Sequence, residues 1–203
     1  MINEKLHQLN TLVLCDTPGS EKADAIYIFA EPNTYLALLT GAVAGLAKST
    51  GVKVAICGGV GQGYDFRPWL KALREQGLKE DEIVLIAPDD TLNSLTESLK
   101  LAQHAKMFGW KNIWITAPPY QQLRAFMTLV TALKKEFHLA KIYNLIALPL
   151  KWYKETVHYQ GEVKGRPVDF ILSESERIEK YIQKNDLLPP EQVLKYFEER
   201  ETY

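Results

Sequence analysis

Short apolar runs and amphipathic stretches alternate along most of this chain. Residues 24–30, 52–57, 83–87, 112–116 and 141–148 are compact runs rich in Ile, Val and aromatic side chains, the pattern of buried strands. Between them the apolar positions recur at helical spacing. Leu36, Leu39, Val43 and Leu46 predict a helix over 35–48, and a second covers 68–76. Leu92, Leu95, Leu99 and Ala102 share one face of a third that reaches 108, and Phe126, Leu129, Val130 and Leu133 share one face of a long helix over 119–137. Gly51, Gly77 and Gly109 stand where helices of this kind end. Five strands separated by helices predict a mostly parallel sheet covered on both faces. The fold class is α/β, a Rossmann-like three-layer sandwich, read as a single domain over 1–203. Helical extensions are added at both ends. Leu6, Leu9 and Val13 mark one before the first strand. Past Pro149 a polar, irregular stretch holds Trp152, Tyr153, His158 and Tyr159, followed by helices over 171–184 and 191–200 that Pro189 and Pro190 separate.

Composition narrows the function classes. The 203 residues are 46% apolar with a formal net charge of −1, enough for a sizeable core and without the basic field that a nucleic-acid binder needs. There is no apolar run of membrane-spanning length and the N-terminal segment is polar. The expected location is therefore the cytoplasm, with no membrane partner. The two cysteines, Cys15 and Cys57, read as structural, and the four histidines show no metal-ligand spacing. No G-x-S-x-G nucleophile elbow occurs.

Four segments could carry chemistry. Directly after the second strand, Gly58, Gly59, Gly61 and Gly63 crowd six residues, too many for a turn alone. They match neither G-x-G-x-x-G nor the P-loop. A backbone cradle for a phosphate or carboxylate is the functional reading, and a tight turn the bland one. At the next strand end Asp89 and Asp90 could accept hydroxyls, orient water or hold a cation; helix capping by Asp90 or Thr91 explains one of them equally well. Whether they bind a metal stays open. After the fourth strand, Pro118 and Pro119 force a sharp entry into a helix carrying Tyr120, Gln121 and Arg124, whose planar fork suits an anion. Last, Ser173 and Glu176 have capping-box spacing, and Glu174 and Arg177 are spaced to pair.

Taken in order, Asp24–Ile28, Cys57–Gly61, Thr91–Ser94, Pro119–Ala125 and Ile171–Glu174 with Arg177–Ile178 are similar to the landmarks of the YdcF/SanA/ElyC-like family, known as domain of unknown function 218. The resemblance covers about 24–184. It departs at Thr96 and Glu97, where the family often has Glu-Asn, and at Gln121, where it often has histidine. A glutamine cannot take a proton at neutral pH. The membrane segment of the family's envelope branch is absent as well. The resemblance implies a Rossmann-like fold and a pocket for an anionic, nucleotide-like or adenosyl-type ligand, S-adenosylmethionine among them. The expectation is an enzyme on such a molecule. Gly58, Gly59, Gly61, Asn93, Tyr120, Gln121, Arg124, Glu174 and Arg177 would bind the ligand, and Asp89, Asp90 and Arg124 are the catalytic candidates. The alternative is a non-catalytic ligand sensor or protein-interaction module, and a homo-oligomer is compatible with either.

Overall fold

A computed structural model describes residues 4–16, 18, 22–30, 33–61, 64–86, 93–136, 140–146, 149–158 and 163–202. Helix α1 (Glu4–Cys15) precedes β1 (Ala25–Ile28), α2 (Leu36–Thr50) and β2 (Lys53–Cys57). A small ladder, β3 (Val60–Gly61) with β4 (Tyr64–Asp65), leads into α3 (Phe66–Glu75). Next come β5 (Ile83–Ile86), α4 (Ser94–Phe108), β6 (Asn112–Thr116), α5 (Gln122–Lys135) and β7 (Lys141–Asn144). A hairpin of β8 (Thr156–His158) and β9 (Val163–Gly165), then α6 (Pro167–Gln183) and α7 (Pro190–Thr202), complete the described chain.

The main sheet has the order β5-β2-β1-β6-β7 with every pair parallel. β1 is central, and its alternate side chains feed two cores. Tyr27 and Phe29 pack with α1, α4, α5 and α7, whereas Ile26 and Ile28 pack with α2 and α3. Helix α6 joins both layers, Phe170 entering one and Ile178 the other. The predicted three-layer sandwich is the observed one. Gly51 and Gly109 close α2 and α4 at φ 69° and 66°, the left-handed conformation that glycine adopts without strain.

Several boundaries move, each for a local reason. Helix α5 starts at Gln122 rather than at residue 119, because Pro118 accepts from the backbone N–H groups of both Gln121 and Gln122 in a tight turn. It is also buried on every side from Gln122 to Leu133, where the stripe predicted one buried face. Its Thr128 and Thr131 hydroxyls bond back to the carbonyls of Arg124 and Met127, which lets polar side chains sit inside. The supposed irregular stretch contains the β8–β9 hairpin. Ser173 and Glu176 form no capping box, since α6 begins at Pro167, with Arg166 and Asp169 exchanging the capping bonds.

At the β7 edge, Arg200 and Asp16 form a buried ion pair. Arg200 Nη2 lies 2.8 Å from Asp16 Oδ1, and Nη1 also donates to the Ile142 carbonyl at 2.6 Å. Asp16 Oδ2 accepts from the backbone N–H and side-chain amide of Asn144. The pair thus clamps the end of α1 and the end of α7 onto β7. Removing one partner strands a buried charge, which typically costs about 3–5 kcal/mol. Arg200→Met is expected to lose stability of that order in urea unfolding, and the double variant Arg200→Met with Asp16→Leu to recover much of it.

Candidate functional site

The strand order fixes where a site can form. The chain winds outward from β1 through β2 to β5, then returns to the other side of β1 for β6 and β7. The reversal falls between β1 and β6, and the crevice outside the carboxyl ends of such strands is where open α/β sheets take ligands. Ile28 and Thr116 pair in register there, and the Phe29 N–H donates to the Thr116 carbonyl at 3.0 Å.

Four elements converge on a buried carboxylate beside this crevice. Glu174, on α6, accepts from Arg124 Nε at 2.5 Å and from Arg124 Nη2 and Arg177 Nη1 at 3.4 Å each. His158 Nε2, from β8, lies 3.2 Å from Glu174 Oε1. Arg124 Nη1 donates to the Ser94 hydroxyl at 2.6 Å, at the start of α4. Arg124 and Glu174 are 3% and 2% exposed, whereas the Arg177 side chain is 26% exposed. Burial alone would raise the Glu174 carboxyl, but the Arg124 guanidinium and the His158 bond overcome it and hold it at about 2. An ionised carboxylate only accepts, so His158 Nε2 carries the proton and donates. The ring is held between Phe170 and Tyr120, at centroid distances of 4.4 and 5.0 Å.

A second acid lies one helical turn from Ser94. Glu97 is 4% exposed, and its Oε1 accepts from the Tyr27 hydroxyl at 2.7 Å and from the Ala30 N–H at 2.8 Å. Burial raises this carboxyl to about 7, even against those two bonds and the pull of Arg124. Its charge reaches Cys57 and Tyr64 at the end of β2, so the glycine loop, Glu97 and Arg124 share one electrostatic neighbourhood. Burial, aided by Glu97, pushes the Cys57 thiol up to about 12. It stays protonated and is a weak nucleophile.

The expected ligand contacts divide among several roles. Arg124, Glu174 and Arg177 meet as one cluster. Tyr120 and Gln121 are buried beside it in the turn before α5. Asn93 is the N-cap of α4, its Oδ1 accepting from the N–H groups of Leu95 and Thr96; Thr91, one of the expected caps, lies outside the described residues. The Gly58 N–H is spent on the Ile86 carbonyl at 2.9 Å, and the Gly59 N–H leans on Cys57 Sγ at 3.4 Å. Gly61 pairs with Tyr64 in the β3–β4 ladder. At the expected anion cradle, Gly58, Gly59 and Gly61 are thus engaged with the fold's own groups. Asp89, Asp90 and Gly63 lie outside the described residues. Among the described residues no group of three or more His, Cys, Asp or Glu is placed to hold a metal ion, and no helix is long and apolar enough to cross a membrane.

Sequence reasoning did not place Glu97 or Ser94 among the candidate site residues. Ser94 and Glu97 stand three apart on a helix that starts at a strand end, and that spacing puts both on one face. His158 reads from the sequence as a neighbour of aromatics that could line a pocket, with no link to Glu174.

Glu97 gives the fold a measurable pH dependence. Its carboxyl is raised, so the folded chain holds this proton more tightly than the unfolded chain. The associated stability is complete below the ordinary value of 4.5 and is lost as pH rises through about 7. A shift of that size corresponds to about 3 kcal/mol. Glu174, held at about 2, acts in the separate window below 4.5, where stability falls as the medium becomes more acidic. Glu97→Gln keeps an acceptor for Tyr27 and Ala30. It is expected to flatten the decline between pH 4.5 and 7 in urea unfolding while leaving the acid limb in place.

No protein-family model, no curated protein and no solved structure matches this chain.

Proposed function

We propose that this chain is a cytoplasmic protein that binds an anionic, nucleotide-like or adenosyl-type small molecule outside the carboxyl ends of β1 and β6, and that it acts on that molecule as an enzyme. The observation that carries the reading is the pair of guanidinium groups gathered on Glu174 at the carboxyl edge of the sheet, Arg124 fully buried and Arg177 reaching partly into solvent. A planar fork held rigid by a carboxylate is preorganised for a phosphate or carboxylate. Glu174 fixes both forks, Ser94 fixes the far end of Arg124, and Arg177 is the more exposed of the two guanidinium groups. The carboxylate of S-adenosylmethionine and the phosphate of a nucleotide suit the same donors. Glu97, with one oxygen anchored and a carboxyl that titrates near neutrality, is the group best suited to exchange a proton. The ordered motifs similar to the YdcF/SanA/ElyC-like family support the same reading, and we propose membership on that basis.

One observation favours a second reading. Arg124 Nε, Nη1 and Nη2 all donate to Glu174 or Ser94, as a strut joining α4, α5 and α6 would. On that reading the protein is a non-catalytic sensor or interaction module. The exposed Tyr153, with the Arg166 guanidinium 6.0 Å from its ring centroid, would then meet a partner.

Thermal and chemical unfolding with nucleotides, S-adenosylmethionine and inorganic phosphate separates the two. A ligand at a hundred times its dissociation constant is expected to stabilise the fold by about 2.7 kcal/mol. Arg177→Gln, chosen because its side chain is only partly buried, is expected to weaken that ligand at least tenfold. Absence of a shift with every compound would leave the strut.

A further inference from the structure

Among the described residues, four buried side-chain polar atoms around the reversal in strand order stand without a hydrogen-bond partner: Tyr35 Oη, Trp114 Nε1, Thr116 Oγ1 and Gln121 Oε1. Buried polar groups are paired in the great majority of cases, and each exception asks for a cause. These share a place as well as a lack. Thr116 ends β6, Gln121 lies in the turn that follows, and Tyr35 ends the single turn of 3-10 helix after β1. They therefore come from both sides of the crevice. Alternation along β6 sends Trp114 and Thr116 to one face, and Trp114 packs in the same core layer as Tyr35 and Tyr120. The Tyr35 and Tyr120 rings are 6.3 Å apart, and Tyr120 is 5.0 Å from His158, which bonds Glu174. The unmet atoms thus lie on the α2 side of the sheet, and a chain of contacts links them to the guanidinium cluster.

Their chemistry is neutral and mixed. The two hydroxyls donate or accept, the indole only donates, and the carboxamide oxygen accepts. Turning the Gln121 amide over would only exchange an unmet acceptor for an unmet donor. No charged side chain belongs to the set. An occupant that satisfies it carries several donors and acceptors and no charge of its own at this end, which describes a group bearing hydroxyls.

We propose that these unmet groups bind the hydroxylated body of the ligand while Arg124 and Arg177 hold its anionic end, so that the ligand class is a sugar phosphate, free or as part of a nucleotide. The inference rests on the anion site described above and adds the substrate class to it. A pocket built to hydrogen-bond a hydroxyl rejects analogues that lack it far more strongly than an apolar pocket rejects a missing methylene.

Calorimetric titration of the whole chain tests this with three probes: inorganic phosphate, ribose 5-phosphate and adenosine 5′-monophosphate. The expected result is that ribose 5-phosphate binds at least tenfold more tightly than phosphate. Thr116→Val and Tyr35→Phe should each bring that ratio close to one, and each variant should melt no lower than the wild type because it removes an unmet hydroxyl. Adenosine 5′-monophosphate distinguishes the sources: further tightening points to a nucleotide, and equal or weaker binding to a free sugar phosphate. A wild-type ratio near one with phosphate still bound overturns the hydroxyl site and leaves the anion site standing. A ratio that neither variant changes overturns it too, because the sugar would then be held elsewhere. Absence of binding by all three probes removes the anion site and this inference together.

Discussion

An ionised carboxylate out of reach of water costs several kcal/mol unless its surroundings replace the lost hydration. Glu174 is such a group, and Arg124, Arg177 and His158 supply what water would have given. These partners come from α5, α6 and β8, and Arg124 extends the link to α4 through Ser94. The carboxyl edge of the sheet is therefore organised around one negative charge. The hairpin that delivers His158 and the two helix starts that deliver Ser94 and Arg124 have to settle together. Such a pair contributes less to net stability than to geometry, since its attraction is largely spent on desolvation. It does hold guanidinium groups at fixed angles, and fixed angles are what anion recognition requires.

The same edge holds two glutamates with opposite behaviour. Glu174 sits on a guanidinium and stays ionised, whereas Glu97 meets a phenol and a backbone amide and holds its proton up to about neutrality. Their environments push the two carboxyls apart, an arrangement that elsewhere separates an electrostatic role from a proton-transfer role. The strand order brings this about. Because β1 is central and β6 returns beside it, the Ala30 amide that anchors Glu97 and the turn that launches Arg124 fall on either side of one crevice.

The layered fold was legible because strands buried on both faces read as continuous apolar runs, as at residues 25–28 and 53–57, and because Gly51 and Gly109 punctuate the helices. Arg124 was legible through its place after a strand end, and Glu174 with Arg177 through helical spacing. Glu97 was not, since an acid in the first turn of a helix ordinarily serves the helix dipole. Only tertiary packing against Tyr27 reveals its burial. His158 was hidden by a hairpin too short to show periodicity. The glycine cluster has a structural part that its density did not show. Gly58 extends the ladder toward β5 and Gly61 closes a small one of its own. Backbone pairing of that kind leaves no trace in composition.

The clamp between Asp16 and Arg200 bears on how the chain is made. Asp16 leaves the ribosome 184 residues before the guanidinium that neutralises it. Until Arg200 follows, β7 lacks the helix that covers it, and an acid destined for the interior has no counter-charge. This flank therefore cannot close while it is being synthesised, and a nascent polypeptide stalled short of residue 200 would present an unfinished sheet margin to chaperones.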